Sequence, residues 1–190
     1  MRRLYRAARR APDAERCELC AAPLPASHDH LYAPRERELR CACQGCALIV
    51  PTAEHARYRR VPRRFERVTL PPGPWLARLG VPVGLAAVRV RDDGSAVAGY
   101  PGPAGLVESE LPAAEWDALR AAVPAAAALA PEVEALVCAS LPGGGAWVTG
   151  IDAVFALVAE LRGRRIGPGG DPAVPAALAR VAARLAGGAL

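Results

Sequence analysis

The sequence predicts an α+β fold, with an N-terminal zinc-ribbon-like module packed on a small α+β domain that has an antiparallel sheet and C-terminal helices. Three observations predict it. Five of the six cysteines fall between Cys17 and Cys46. Short apolar runs bounded by Pro, Gly and Asp fill the middle of the chain, the pattern of turn-separated strands. Helical spacing of apolar residues follows in the last third. A composition of 52% hydrophobic and 23% charged residues can bury a core. Aromatics are only 5%, so small side chains must build that core. The expected organisation is a flexible arginine-rich tail at 1–16, the metal module at 17–66 and the α+β domain at 67–190.

The first element is a pair of knuckles. Cys17-Glu-Leu-Cys20 and Cys43-Gln-Gly-Cys46 each separate two thiols by two residues, so that one tight turn aims both sulfurs at a single ion. Gly45 offers the second knuckle extra backbone freedom. Between them, His30-Leu-Tyr and Glu38-Leu-Arg-Cys41 form the arms of a hairpin around Ala33-Pro34 and Arg35-Glu36-Arg37, returning the chain to the metal. The expected ligands are therefore Cys17, Cys20, Cys43 and Cys46 on zinc. Cys41 lies two residues from Cys43, on the same face of an extended segment, and is a ligand, a supporting thiol beside the site or a redox thiol. A set using Cys41, His28 or His30 in place of one cysteine stays open, as does a single iron in the same four thiolates. His55 is read as an ordinary helix or loop residue.

After the knuckles, Ala47-Leu-Ile-Val50 reads as a short apolar strand, and the basic run Tyr58 to Phe65 connects it to Val68-Thr-Leu70. Pro71-Pro-Gly-Pro74 is a turn, and Trp75 to Leu79 a helical turn ended by Gly80. Val81 to Val90 is a buried strand, and Asp92-Asp-Gly-Ser95 turns it back into Ala96 to Tyr100 as an antiparallel partner. Pro101 to Gly105 is irregular. Pro112 opens a helix in which Leu111, Trp116, Leu119 and Val123 share a face until Pro124 interrupts. Val133 to Cys138 is a strand with Cys138 as a small core residue, Gly143 to Gly145 is a turn, Ile151 to Leu161 is a helix, and Val174 to Leu185 is a second one. Cys138, His55 and Asp152 share no spacing that would make them a nucleophile set.

Charge and compartment narrow the function classes. All 24 basic residues are arginine, which removes phosphate-loop, Schiff-base and pyridoxal-anchoring lysines. Residues 1–67 carry 15 arginines against 8 acids, and residues 68–190 carry 9 against 11. That asymmetry fits a solvated surface or a contact with an acidic protein or nucleic acid, and four thiolates on a divalent ion offset part of it. The start MRRLYRAARR lacks the apolar run of a secretory signal, and Pro124, Pro131 and Asp152 break the most apolar windows short of a membrane span. The expected location is the cytoplasm, where clustered cysteines bind metal more often than they form disulfides.

The residues Glu15-Arg16-Cys17-Glu-Leu-Cys20, His28-Asp-His30-Leu, Leu39-Arg-Cys41-Ala-Cys43-Gln-Gly-Cys46, Val81-Pro-Val-Gly-Leu85, Tyr100-Pro-Gly-Pro-Ala-Gly105 and Glu134-Ala-Leu136 resemble an uncharacterised, mainly actinobacterial domain family. The resemblance runs from about Arg16 to Leu185. It implies a pattern of CxxC, then HxH, then CxCxxC, which makes Cys17, Cys20, His28, His30, Cys41, Cys43 and Cys46 all site candidates. It also implies genetic company with NiFe hydrogenases. The functional expectation is a non-enzymatic zinc-binding accessory protein acting by protein contact, with a hydrogenase component as the possible partner. The alternatives are a rubredoxin-like iron electron carrier at the same cysteines and an arginine-rich nucleic-acid binder.

Overall fold

A computed structural model describes residues 15–51, 56–81, 84–102, 105–139 and 145–161, with Ala176, Ala179, Arg180 and Ala183 as helical positions beyond them. In chain order the elements are β1 (Asp29–Ala33), β2 (Glu38–Ala42), α1 (Gln44–Ile49), β3 (Arg59–Arg60), β4 (Phe65–Val68), α2 (Trp75–Arg78), β5 (Leu85–Val90), β6 (Ala96–Gly102), β7 (Gly105–Glu110), α3 (Ala113–Ala122), α4 (Pro124–Ala127), β8 (Glu134–Ala139), β9 (Gly145–Gly150) and α5 (Ile151–Leu161). The fold is α+β, with antiparallel pairing in both of its sheets.

The smaller sheet has the order β2-β1-β3. Its hairpin closes where the sequence expects, between Ala33 and Glu38, with Arg37 N–H donating to Ala33 O at 2.8 Å. Arg37 takes a left-handed φ of 58° there. The pairing sets His30 opposite Cys41 and Tyr32 opposite Leu39. Of the run Ala47 to Val50, expected as a strand, Ala47 to Ile49 instead form the second half of α1 and Val50 is its extended C-cap. The reason is local: Cys43 caps that helix, its sulfur accepting the Cys46 N–H, and the knuckle turn continues directly into helical backbone. Only Ala47 of α1 is buried, while Leu48 and Ile49 are exposed.

The larger sheet has the order β4-β9-β8-β5-β6-β7. Side-chain alternation divides it into two apolar faces. Ala86, Val88, Leu136, Cys138, Ala146 and Val148 face one way, into a cluster with Trp116 and Leu119 of α3 and Ala126 of α4. Leu85, Ala135 and Val137 face the other way, against Ile151, Val154, Leu157 and Leu161 of α5. Four strands are not evident from the sequence: β3 and β4 lie along the basic connection, and β7 and β9 complete the larger sheet. β7 carries Val107-Glu-Ser-Glu, whose polar residues suit an edge strand, and β9 runs from Gly145 through Trp147 to the start of α5. The irregular segment expected from Pro101 is shorter than anticipated, because Pro101 and Gly102 still pair with Leu106 and Gly105. Ser140 to Gly144 and most of Val174 to Leu185, including Leu178, Val181, Ala182 and Leu185, lie outside the described residues, as do His55 and all but the last two residues of the 1–16 segment.

Within the α5 face sits one buried charge network. Arg89 on β5 pairs with Glu132 and, at 3.2 Å, with Glu108. Burial holds the Glu132 carboxyl above its ordinary range, although the Arg89 charge beside it pulls the other way.

The smaller sheet closes on this same side. Tyr32 from β1 and Val61 after β3 belong to the α5 cluster, with the Tyr32 and Phe155 rings 6.0 Å apart. Contact is tightest at Gly150, where an added Cβ would lie 2.7 Å from both Pro62 O and Val61 Cγ1. Among the described residues no helix is long and apolar enough to cross a membrane.

Candidate metal centre

The two knuckles meet at one end of the smaller sheet. One Sγ each from Cys17, Cys20, Cys43 and Cys46 lie within 4.8 Å of one another. Cys20 and Cys43 sulfurs are 3.7 Å apart. Zn–S bonds of about 2.3 Å in a tetrahedron require an edge of about 3.8 Å, so this spacing suits a single tetrahedral ion. Cys17 is buried with Leu24, Leu31, Ala42 and Ala47, whereas Cys20 is exposed.

Each knuckle is held by its own backbone. In the first, Ala21 N–H donates to Cys17 O at 2.7 Å, and Cys17 N–H donates to Ala22 O at 2.8 Å. That turn requires a left-handed residue, and it is Ala21, at φ 62°. Gly45 in the second knuckle has no left-handed φ and has open space where a Cβ would sit, so the freedom expected of it is not used. Glu18, inside the first knuckle, ties it to β2. Its N–H donates to Cys41 O at 2.9 Å, and its carboxylate accepts the Cys41 N–H at 2.9 Å and an Arg40 N–H at 2.8 Å. Burial opposes ionisation of Glu18, but the Arg40 and Cys41 donors outweigh it and hold the carboxyl below its ordinary range.

The four thiols are electrostatically interdependent. Burial pushes the Cys17 thiol up, but N–H donors from Cys43, Leu19 and Cys20 more than offset this and bring it down to about 6. Cys46 goes the other way, to about 12, because the sulfurs of Cys20 and Cys43 and its own burial all disfavour its charge. Crowded thiols cannot all ionise without a cation among them. A divalent ion can replace those protons, and this is the chemistry the donor set fits.

Cys41, His28 and His30 do not join those four sulfurs. They form a separate group in which one ring nitrogen of each histidine and the Cys41 Sγ lie within 4.8 Å of one another. His30 Nδ1 is 2.9 Å from Asp152 Oδ2, a partnership between β1 and α5 that no local sequence signal announces. Cys138 stays in the sheet core, its thiol pushed up to about 12 by burial.

Among the described residues, the arginines of the first half are largely paired. Arg37 pairs with Glu108, Arg57 with Glu36, Arg59 with Asp92, Arg60 with Asp29, and Arg64 with Glu66 and Glu134.

A family described as a family of unknown function (DUF5947) matches residues 16–189 of the chain. No curated protein and no solved structure matches it.

Proposed function

The chain belongs to the DUF5947 family, and from that premise we propose that it is a zinc-binding accessory protein, not an enzyme, working by protein contact in the cytoplasm. The convergence of four thiols within 4.8 Å carries this reading. Zinc is preferred because a closed four-thiolate set with tetrahedral spacing is the usual structural zinc site. Cys17, Cys20, Cys43 and Cys46 hold the ion, which supplies the folding free energy that a cluster of one leucine pair and small residues lacks.

Contact with a protein is supported by the apolar residues beside the knuckles. Leu19, Leu48 and Ile49 are 42%, 64% and 77% exposed, an arrangement that favours an apolar partner surface. The resemblance to a hydrogenase-associated family makes a NiFe hydrogenase component the proposed partner. Among the described residues, the paired arginines weigh against a nucleic-acid role, because guanidinium groups already matched by carboxylates release fewer counterions from a phosphate backbone.

A second reading is favoured by one observation, the exposure of Cys20. An exposed thiolate is a route for electrons to a single iron held by the same four sulfurs. Elemental analysis and an optical spectrum of anaerobically prepared protein test both. The zinc reading expects colourless protein with zinc at the four cysteines. Visible absorbance that bleaches on reduction, with iron in place of zinc, would replace it with the electron-carrier reading.

A further inference from the structure

We propose that His28, His30 and Cys41 form a second metal site, separate from the four-cysteine site, for a late first-row divalent cation such as zinc. The site follows from strand geometry. Antiparallel pairing puts His30 of β1 directly opposite Cys41 of β2, so both side chains leave the same face of the hairpin. His28 stands two residues before His30, and their rings meet edge to face with centroids 4.8 Å apart. Three donors of types suited to zinc thereby lie within 4.8 Å of one another.

Protonation assigns the free nitrogens. His28 Nδ1 lies 3.0 Å from Pro25 O, and a carbonyl only accepts, so Nδ1 carries the proton and Nε2 the lone pair. Among the described residues that Nε2 is buried and without a hydrogen-bond partner, and the side chain is only 4% exposed. A buried acceptor left unmatched is costly, and a cation satisfies it. His30 is arranged alike. Asp152 Oδ2 accepts a hydrogen bond from the Nδ1–H at 2.9 Å, leaving the Nε2 lone pair available, the carboxylate–histidine pairing that orients metal-bound imidazoles. A Cys41–His30–Asp152 proton relay would use two of these residues but leave His28 Nε2 still unmatched. A metal accounts for all three.

The two sites share no ligand, and their charges are complementary. Four thiolates on a divalent ion carry net negative charge, while two neutral imidazoles and one thiolate on a second ion leave net positive charge. Three protein donors leave a fourth position for water or a ligand group, as in zinc sites that are not purely structural. Asp152 acts as a positioning residue, through His30.

The test is a titration of metal-free, reduced full-length protein with Co²⁺, read by stoichiometry and optical spectrum. Two equivalents are expected. His28→Ala and Cys41→Ser should each remove one equivalent while preserving the four-thiolate charge-transfer bands. Asp152→Asn should weaken only that same equivalent, by roughly 10- to 100-fold. A single equivalent in the unaltered protein, or two equivalents untouched by His28→Ala and Cys41→Ser, overturns the proposal. Alkylation of the unaltered protein, mapped by mass spectrometry, avoids any folding defect of the variants. Protection of Cys41 that develops with the second Co²⁺ supports the site, and an unchanged Cys41 rate overturns it. Because the four-thiolate bands are read separately, loss of the first site does not mimic loss of the second.

Discussion

His30 and Asp152, 122 positions apart in sequence, are joined by a 2.9 Å hydrogen bond between Nδ1 and Oδ2. The bond links β1 of the smaller sheet to the first turn of α5, which covers the larger sheet. It is one of a small set of contacts at that junction, with Tyr32 against Phe155 and Val61 against Gly150. The first turn of α5 therefore contributes, with the smaller sheet, to the surroundings of His30.

Gly150 should tolerate no side chain. An added Cβ would meet Asp152 Oδ1 at 2.5 Å and the Pro62 carbonyl oxygen at 2.7 Å, and the latter is backbone that cannot swing aside. Gly150→Ala is expected to cost about 1–3 kcal/mol in urea denaturation, the usual penalty of overpacking. A cost near zero would mean that the two sheets do not press together at this point.

Removing one sulfur should unfold the knuckle end before the rest. Cys17→Ser is expected to lose the zinc of the four-cysteine site, and chelation of the unaltered protein should have the same effect, since structural zinc contributes on the order of 10 kcal/mol to folding small modules. Hydrogen exchange by mass spectrometry is the appropriate measurement. Faster exchange over residues 15–50, with β5, β6 and β8 still protected, is the expected pattern.

Arg89 should be hard to replace. Arg89→Met leaves the buried Glu132 carboxylate without its ion-pair partner, while Glu108 keeps Arg37. The expected loss is about 3–5 kcal/mol at neutral pH. Replacing Arg89 and Glu132 together by apolar residues should recover much of it, which thermal or urea unfolding of the double variant would reveal.

Cys138 should make the protein sensitive to alkali. Its folded-state thiol ionises only at about 12, against about 8.5 in an unfolded chain. Above the lower value the unfolded chain holds fewer protons than the folded one, so stability falls as pH rises, by on the order of 2 kcal/mol at pH 10. Comparing the unaltered protein with Cys138→Ala, both loaded with zinc, isolates this slope. The variant is expected to lose less stability between pH 8.5 and 10, inside the window from about 8.5 to about 12 that those two values set.

The knuckle backbone offers a smaller test. Ala21 occupies a left-handed position at φ 62°, and Ala21→Gly should relieve about 1 kcal/mol of strain. Gly45 lies in α1 with open space for a Cβ, so Gly45→Ala should stabilise by up to about 1 kcal/mol. Both are read as shifts in urea midpoint.

The spacing of Cys17, Cys20, Cys43 and Cys46, the hairpin between them, the Asp92–Ser95 turn and the α5 helix could all be read from the chain alone. In each, the determining interactions are local: a two-residue knuckle, a turn dipeptide, a 3.6-residue period. The misread elements have two causes, a local helix cap in one case and distant strand partners in the others. Ala47 to Val50 is apolar enough for a strand, but the Cys43 cap turns it into helix, and β7 and β9 become strands because β6, β8 and β4 are there to pair with them. Only the tertiary structure could separate Cys41 from the four sulfurs, set it opposite His30, bury His28 and bring Asp152 to the imidazole. Those relationships depend on strand register and sheet packing, and sequence spacing encodes neither across 122 residues.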